Sequence, residues 1–388
     1  MLSLVSLFTD IASEMLYPVM PLFLKSIGFS IVVIGILEGL AEAVAGLSKA
    51  WFGNMSDKMG KRLPFVQLGY CLSAISKPMM ALFIYPIWIF AARTMDRLGK
   101  GIRTGARDAM LSEEATASTK ARIFGFHRSM DSMGAVLGPA IALVWLYYRP
   151  GDYRNLFLVA FIPGVLAIVT TLNLREKKIA SIHDQTKLKP TSFFVFARFW
   201  KHSPKEYKKL VTGLLLFALC NSSDVFLLLK AKSAGLDDTQ IIGIYIFYNL
   251  IYALASYPLG ILADKIGMKK ILLLGFLLFA IVYAGFTVAA AWWHFVLLFL
   301  LYGVYAAATE GISKAWLSNI VSKNEIATAI GTYTGFQSIA SLIASSSAGI
   351  IWYQFGASVT FFVTALIAII VILYLKYNCT ETLIISRT

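Results

Sequence analysis

The sequence is poor in charge. Of its 388 residues only 14% are Asp, Glu, Lys or Arg, against about 25% in soluble domains. With 58% hydrophobic residues and a mean hydropathy of +0.71, the chain reads as an integral membrane protein. Histidine and cysteine are also scarce. The four histidines (His127, His183, His202, His294) are scattered, and Cys71, Cys220 and Cys379 lack ligand spacing. Neither a metal centre, a cofactor site nor a disulfide framework is expected. No HExxH, GxSxG or phosphate loop in a strand-to-helix setting is present, so the common enzyme chemistries are excluded. Segments between apolar runs are short, the longest being Arg175 to Lys209, which leaves no room for a soluble sensing domain. A net charge of +14 could suit nucleic acid. The basic residues, however, gather between apolar runs, as membrane topology requires.

Twelve apolar runs are present, at 2–25, 31–53, 64–84, 86–106, 123–148, 155–174, 210–231, 239–262, 270–290, 292–316, 327–353 and 359–377. Each approaches the roughly 20 residues that an α-helix needs to cross a bilayer. The run after Met1 carries no cleavage site and is expected to be the first span. The segment from Arg175 to Lys209 holds ten Lys/Arg and three Asp/Glu and is therefore expected in the cytoplasm. Six spans on either side put both termini there too. Within it, Thr191 to Trp200 reads either as an interfacial amphipathic helix or as plain linker. The expected organisation is a six-helix bundle over 1–174, a linker over 175–209, a second bundle over 210–377 and a tail over 378–388.

The two halves repeat. Gly53, Asp57, Lys58 and Gly60 recur 207 residues later as Gly260, Asp264, Lys265 and Gly267. Lys25 to Gly28 recurs at Lys232 to Gly235 with the same offset, and Ala109 to Ser112 recurs at Ala315 to Ser318. Parallel repeats of this kind bind substrate at their interface, near the membrane midplane.

The fourth run departs from its apolar setting. Arg93, Asp96, Arg97, Lys100, Arg103 and Arg107 recur at intervals of three and four, drawing one charged stripe along a helix. A charge at a span's centre costs roughly 2.5–3.5 kcal/mol, so other helices must answer the stripe. The first span offers Asp10 and Glu14, the second Glu38 and Glu42; each pair is spaced i, i+4 and so shares a face. Lys77 precedes Pro78 in the third span, and the fifth carries His127, Arg128 and Asp131. Asp10, Glu14 and Arg93 are read as proton-coupling groups, because a carboxylate that meets and leaves a cation changes its proton affinity. Glu38 and Glu42 fit either a proton relay or pairing with Lys77 and the fourth span. Tyr17, Lys77, Asp96, Arg97, Asp131, Asn221, Asp224, Asn249, Glu310 and Gln337 are candidates for a substrate cavity, since lipid-facing polar groups are costly. Lys100, Arg103, Arg107 and Asp108 are expected to form ion pairs and gate contacts. Aromatic residues such as Tyr245, Tyr248 and Tyr252 fit either a cavity wall or helix packing.

These features resemble the major facilitator superfamily over essentially the whole chain. Gly53, Asp57, Lys58, Gly60, Lys61 and Arg62 match its G-x-x-x-D-R-x-G-R-R turn, with Lys58 in place of Arg. The resemblance implies twelve helices in two pseudo-symmetric bundles, with this turn and its copy at Gly260, Asp264 and Lys265 latching a gate. Arg93 matches the family's fourth-helix Arg, but Asp96 and Arg97 stand where Gln and Gly are usual. Gly125, Gly134, Gly138 and Pro139 resemble the fifth-helix signature of proton antiporters, although Ala142-Leu143 replaces its terminal Gly-Gly. The resemblance implies a monomeric secondary transporter of a bacterial inner membrane, exporting a small polar or charged solute by proton antiport. Uptake of an organic anion or siderophore-like nutrient by symport is the alternative, and divalent-metal export a third. Protons are the expected coupling ion, with sodium as the other choice, and the lipid bilayer is the one further partner.

Overall fold

The structure is a computed structural model, and it describes residues 1–17, 19, 20, 23, 24, 27–29, 31–176 and 195–380. Fourteen α-helices occur among them. The first six are α1 (Leu2–Leu16), α2 (Ile31–Met59), α3 (Leu63–Leu82), α4 (Pro86–Glu113), α5 (Lys120–Tyr148) and α6 (Tyr153–Leu172). A short α7 (Val195–His202) follows, so a helix does form in the segment read as interfacial. Next come α8 (Lys205–Ala218) and α9 (Val225–Ser233), then α10 (Asp238–Ile266), α11 (Met268–Val288), α12 (Trp292–Ile320), α13 (Ile326–Phe355) and α14 (Ala357–Asn378). The seventh apolar run, expected as one span over 210–231, is thus two helices. Asn221, Ser222, Ser223 and Asp224 all prefer local side-chain hydrogen bonds to helical ones, and the chain unwinds there.

Six of the described helices are long and apolar enough to cross a membrane. The charged α4 is not among them. Its length and the burial of its stripe show how it is accommodated: Arg93, Asp96, Arg103, Arg107 and Asp108 are all buried. No lipid tail could solvate them, so protein does.

The repeat is visible in the backbone. Lengths run 29, 20, 28, 29 and 20 residues for α2–α6 and 29, 21, 29, 30 and 22 for α10–α14. Gly60 and Gly267 take positive φ (60° and 108°), as do Gly28 and Gly235 (92° and 97°). Both pairs keep the 207-residue offset, and only glycine adopts such angles without strain.

The chain packs as two compact units. One holds Met1–Glu114, Met130–His202 and Ser322–Gly335; the other holds Ala115–Ser129, Ser203–Val321 and Phe336–Thr388. The start of α5 therefore packs with the second unit, and the start of α13 with the first. Apolar cores support each. In the first, Phe23 packs edge-on to Phe157 with Met80 and Ile89 close by. In the second, Phe217 stacks on Phe276 and Phe279 on Tyr283.

Candidate functional site

Within the first unit, α1 and α5 approach closely because α5 carries glycine where they meet. A methyl group at Gly134 would lie 2.7 Å from Asp10 Cβ, and one at Gly138 would lie 2.6 Å from the Met15 nitrogen. This contact fixes the stretch of α1 that bears Asp10 and Glu14. Both acids are half-buried. The cations that act most strongly on Glu14 are Lys100, Arg97 and Lys77, and those on Asp10 are Arg103 and Lys100. Asp131 adds like charge beside Asp10. Lys100 is exposed and Arg97 half-buried; a cation exposed within a span needs a water-filled cavity. The arrangement sets the two α1 carboxylates within electrostatic reach of cations on α4.

The rest of the stripe is spent on internal pairing. Lys77 Nζ lies 2.8 Å from Asp96 Oδ1 and donates to Ser13 Oγ at 3.1 Å. Arg93 lies 4.0 Å from the other Asp96 oxygen. Lys77, Asp96 and Arg93 thus form a buried cluster joining α3, α4 and α1. Arg103 donates to Ser73 Oγ at 2.7 Å and sits over the Tyr70 ring. Arg107 contacts Asp108 at 3.0 Å, Asp131 at 3.9 Å and Ser6 Oγ at 3.2 Å. Arg103, Arg107 and Asp108 therefore lie among groups of the first unit's interior. Glu38 and Glu42 fall on α2 where the side chains lie outside the described residues. Tyr17 is exposed just beyond α1.

In the second unit, Asp224 takes a hydrogen bond from the Tyr302 hydroxyl at 2.7 Å, and Asn221 donates to the Tyr305 hydroxyl at 3.2 Å. Asn249 is buried and donates to its own helix at Tyr245. Glu310 is paired with Arg128, which also faces the Tyr252 ring. Gln337 is half-buried. Among the described residues no three His, Cys, Asp or Glu side chains are grouped to hold a metal ion.

The two repeated turns make matching contacts. Asp57 accepts the Thr328 N–H at 2.6 Å and the Thr328 hydroxyl at 2.5 Å, so it satisfies one free amide in the first turn of α13. Asp264 accepts the Ala121 and Arg122 amides at 3.0 and 2.8 Å at the start of α5. Gly53 and Gly260 permit both contacts: an added Cβ would lie 2.4 Å from the Ala327 oxygen in one and 2.5 Å from the Ala121 oxygen in the other. Gly125, expected to serve α5 packing, faces Ser256 and Gly260, and its counterpart Gly331 faces Lys49 and Ala50. The turns differ in their cation. Arg62, buried to 1% exposure, pairs with Asp57 and with Glu113 at 3.2 Å. Lys269, 207 residues on, instead donates to the Lys376 and Cys379 carbonyls at the end of α14. Lys58 and Lys265 are exposed. Asp57 lies beyond the second apolar run; burial pushes its carboxyl up to about 6, against the pull of Arg62 and Thr328.

Thr328, Glu113 and Gly331 were not singled out by the sequence. Thr328 stands 271 residues from Asp57, and no local pattern joins them.

The comparisons with known proteins agree with this architecture. The family described as Major Facilitator Superfamily matches residues 2–247 and 225–382. The uncharacterized MFS-type transporter MJ1317 of Methanocaldococcus jannaschii is 33% identical over 376 residues, covering 95% of this chain and 92% of its own. The quinolone resistance protein NorA of Staphylococcus aureus is 24% identical over 176 residues, 45% of this chain and 42% of its own. Among solved structures, the human organic anion transporter MFSD10 superposes with a TM-score of 0.77 at 16% identity, covering 96% and 97% of the two chains. The proton:xylose symporter XylE superposes at 0.74 with 17% identity over 98% and 95%. These two likenesses are of fold. The chain belongs to the major facilitator superfamily, a multi-pass membrane secondary transporter and not an enzyme.

Proposed function

We propose that this transporter exports a small polar or charged solute in exchange for protons, and that Asp10 and Glu14 carry the coupling. The observation behind the proposal is the half-buried acid pair on α1, held by Gly134 and Gly138 of α5 and faced by Lys100 and Arg97 of α4. A carboxylate beside a cation releases its proton, and one drawn away from it takes a proton up. A movement of α1 relative to α4 therefore converts a proton gradient into a change of state. Arg97 and Lys100, more than Arg93, supply the countercharge in this scheme. The partial likeness to a quinolone resistance protein supports export over uptake. The fifth-helix glycines and Pro139 support antiport over symport by keeping α1 close-packed.

Asp57 and Asp264 act in this reading as the two releasable contacts of the gate, each holding the start of one helix. The positively charged linker puts both termini in the cytoplasm of a bacterial cell, and one chain, carrying both repeats, suffices for transport.

The test uses proteoliposomes and a solute drawn from a thermal-shift screen of drugs, organic anions and metals. An imposed pH gradient drives that solute against its own gradient, and a protonophore abolishes the effect. Cells carrying the protein accumulate less solute than cells without it. Higher accumulation would overturn export, and gradient-independent flux would overturn coupling.

A further inference from the structure

The break between α8 and α9 carries a feature that ion pairing and helix packing leave unused. Asp224 holds the N-cap position of α9, yet its side chain does not cap the helix. It turns away to the Tyr302 hydroxyl at 2.7 Å, with the Tyr248 hydroxyl also directed at it. No Lys, Arg or His among the described residues pairs with it. The buried acids Asp96, Asp108 and Asp131 of the first unit each face a cation; Asp224 faces phenols. A carboxylate within a span costs several kcal/mol unless it is paired, and two neutral donors leave its charge uncancelled.

Three further observations point to what would cancel it. Asn221 Oδ1, three residues before Asp224 in the unwound stretch, is buried and accepts no hydrogen bond among the described residues. Unwound backbone inside a membrane is tolerated where it lines a cavity, and such breaks hold charged ligands. Asp224 is half-buried and Ser223 exposed, so the break can be approached. Behind it stand phenol rings: Tyr248 lies 5.2 Å from Tyr302, Tyr302 lies 5.2 Å from Tyr305, and Tyr245 lies 6.2 Å from Tyr248. Tyr302 meets Asp224 through its hydroxyl, so a cation on the carboxylate would sit at the rim of this tyrosine cluster. The polar acceptor atoms want N–H donors, and the rings want an apolar body.

We infer that the break between α8 and α9 is a binding site for an organic cation, an ammonium attached to an aromatic or apolar group. Asp224 takes the charge, Asn221 Oδ1 takes an N–H, and the tyrosines take the body. The inference rests on the reading of this chain as a solute exporter and names the class of solute that the second unit recognises.

Binding of three probes of similar size to the full-length protein in detergent, without any gradient, tests it: 2-phenylethylammonium, 2-phenylethanol and 3-phenylpropionate, with sodium chloride as a fourth arm. The ammonium binds and the neutral and anionic probes do not. Asp224→Asn weakens that binding by at least about tenfold, and Tyr302→Phe by about threefold, as expected for a charge partner and a supporting hydroxyl. Asp224→Glu keeps measurable binding, which separates loss of charge from loss of folding. Equal binding of all three probes, unchanged affinity in Asp224→Asn, or a sodium response with none to the ammonium would each overturn the site. So would no ammonium binding up to about 10 mM, a level weaker than ordinary substrate affinities. Because no gradient is present, such a failure leaves proton coupling untouched. Ammonium binding without gradient-driven flux would sink the coupling alone.

Discussion

The two compact units carry matching repeated turns and treat buried polarity in opposite ways. The first answers each buried acid with a cation: Lys77 with Asp96, Arg107 with Asp108, Arg62 with Asp57. The second leans on aromatic packing and phenol hydroxyls, with Asp224 set among tyrosines. Helix lengths and turn glycines match between the halves, so the backbone plan does not dictate the difference. Side-chain chemistry does. The ion-pair network offers alternative partners, as Arg107 lies between Asp108 and Asp131. In the proposed reading the first arrangement serves coupling to a proton and the second recognition of a solute.

The largest effect that could break this comparison lies in the first unit's interior. Removing one member of a buried ion pair costs about 3–5 kcal/mol because the other is left uncompensated. Lys77→Met should therefore lower the melting temperature in detergent sharply. Lys77→Met combined with Asp96→Leu should recover much of the loss; a double variant no better than the single would show that the pair is not the source. A somewhat smaller contrast separates positions 62 and 269. Arg62→Ala strips a buried guanidinium from Asp57 and Glu113 and should cost several-fold more than Lys269→Ala, whose partners are carbonyls at a helix end, a contact of about 1 kcal/mol. Equal losses would deny the asymmetry between the two turns.

Gly53→Ala and Gly260→Ala probe what the units share. Each new methyl would meet a backbone oxygen at 2.4–2.5 Å, so each should cost about 1–3 kcal/mol as an overpacked contact. Similar losses in stability and transport rate are expected, and a tolerated change at either position would contradict the matched packing. The smallest effect is in pH. The Asp57 carboxyl is raised from 3.8 to about 6 by burial. A raised folded-state value means that its contribution is complete below the unfolded value and is lost as pH rises through about 6. The melting temperature of the native chain relative to Asp57→Asn should fall by a few degrees between about pH 4 and 7. A difference that stays flat over that window would place Asp57 in a wetter setting.

Much of this was readable in the residues. Twelve apolar runs and a nearly constant offset give the two-bundle plan, because hydrophobic length and glycine-requiring turns are local properties. The α4 stripe likewise announced that other helices must answer it. Which ones answer is a tertiary matter: Arg97 and Lys100, not Arg93, act most on Glu14, since side-chain direction on a helix decides among candidates with equal spacing. The break at Leu219 to Asp224 was missed because the flanking leucines and phenylalanines outweigh four polar residues in an apolar window. The run Asn221-Ser222-Ser223-Asp224 was the available signal. Tyr302 and Tyr305 gave none, as tyrosines three apart on an apolar helix look like packing.

The most direct test of the central claim separates exchange from driven transport in Glu14→Gln and Asp10→Asn. Solute exchange across proteoliposomes at equal pH needs the site and the gate but no net proton movement. The account predicts that both variants retain exchange and lose pH-driven accumulation by at least about tenfold, a loss of 1.4 kcal/mol or more in coupling. Driven accumulation that survives in the double variant would contradict it.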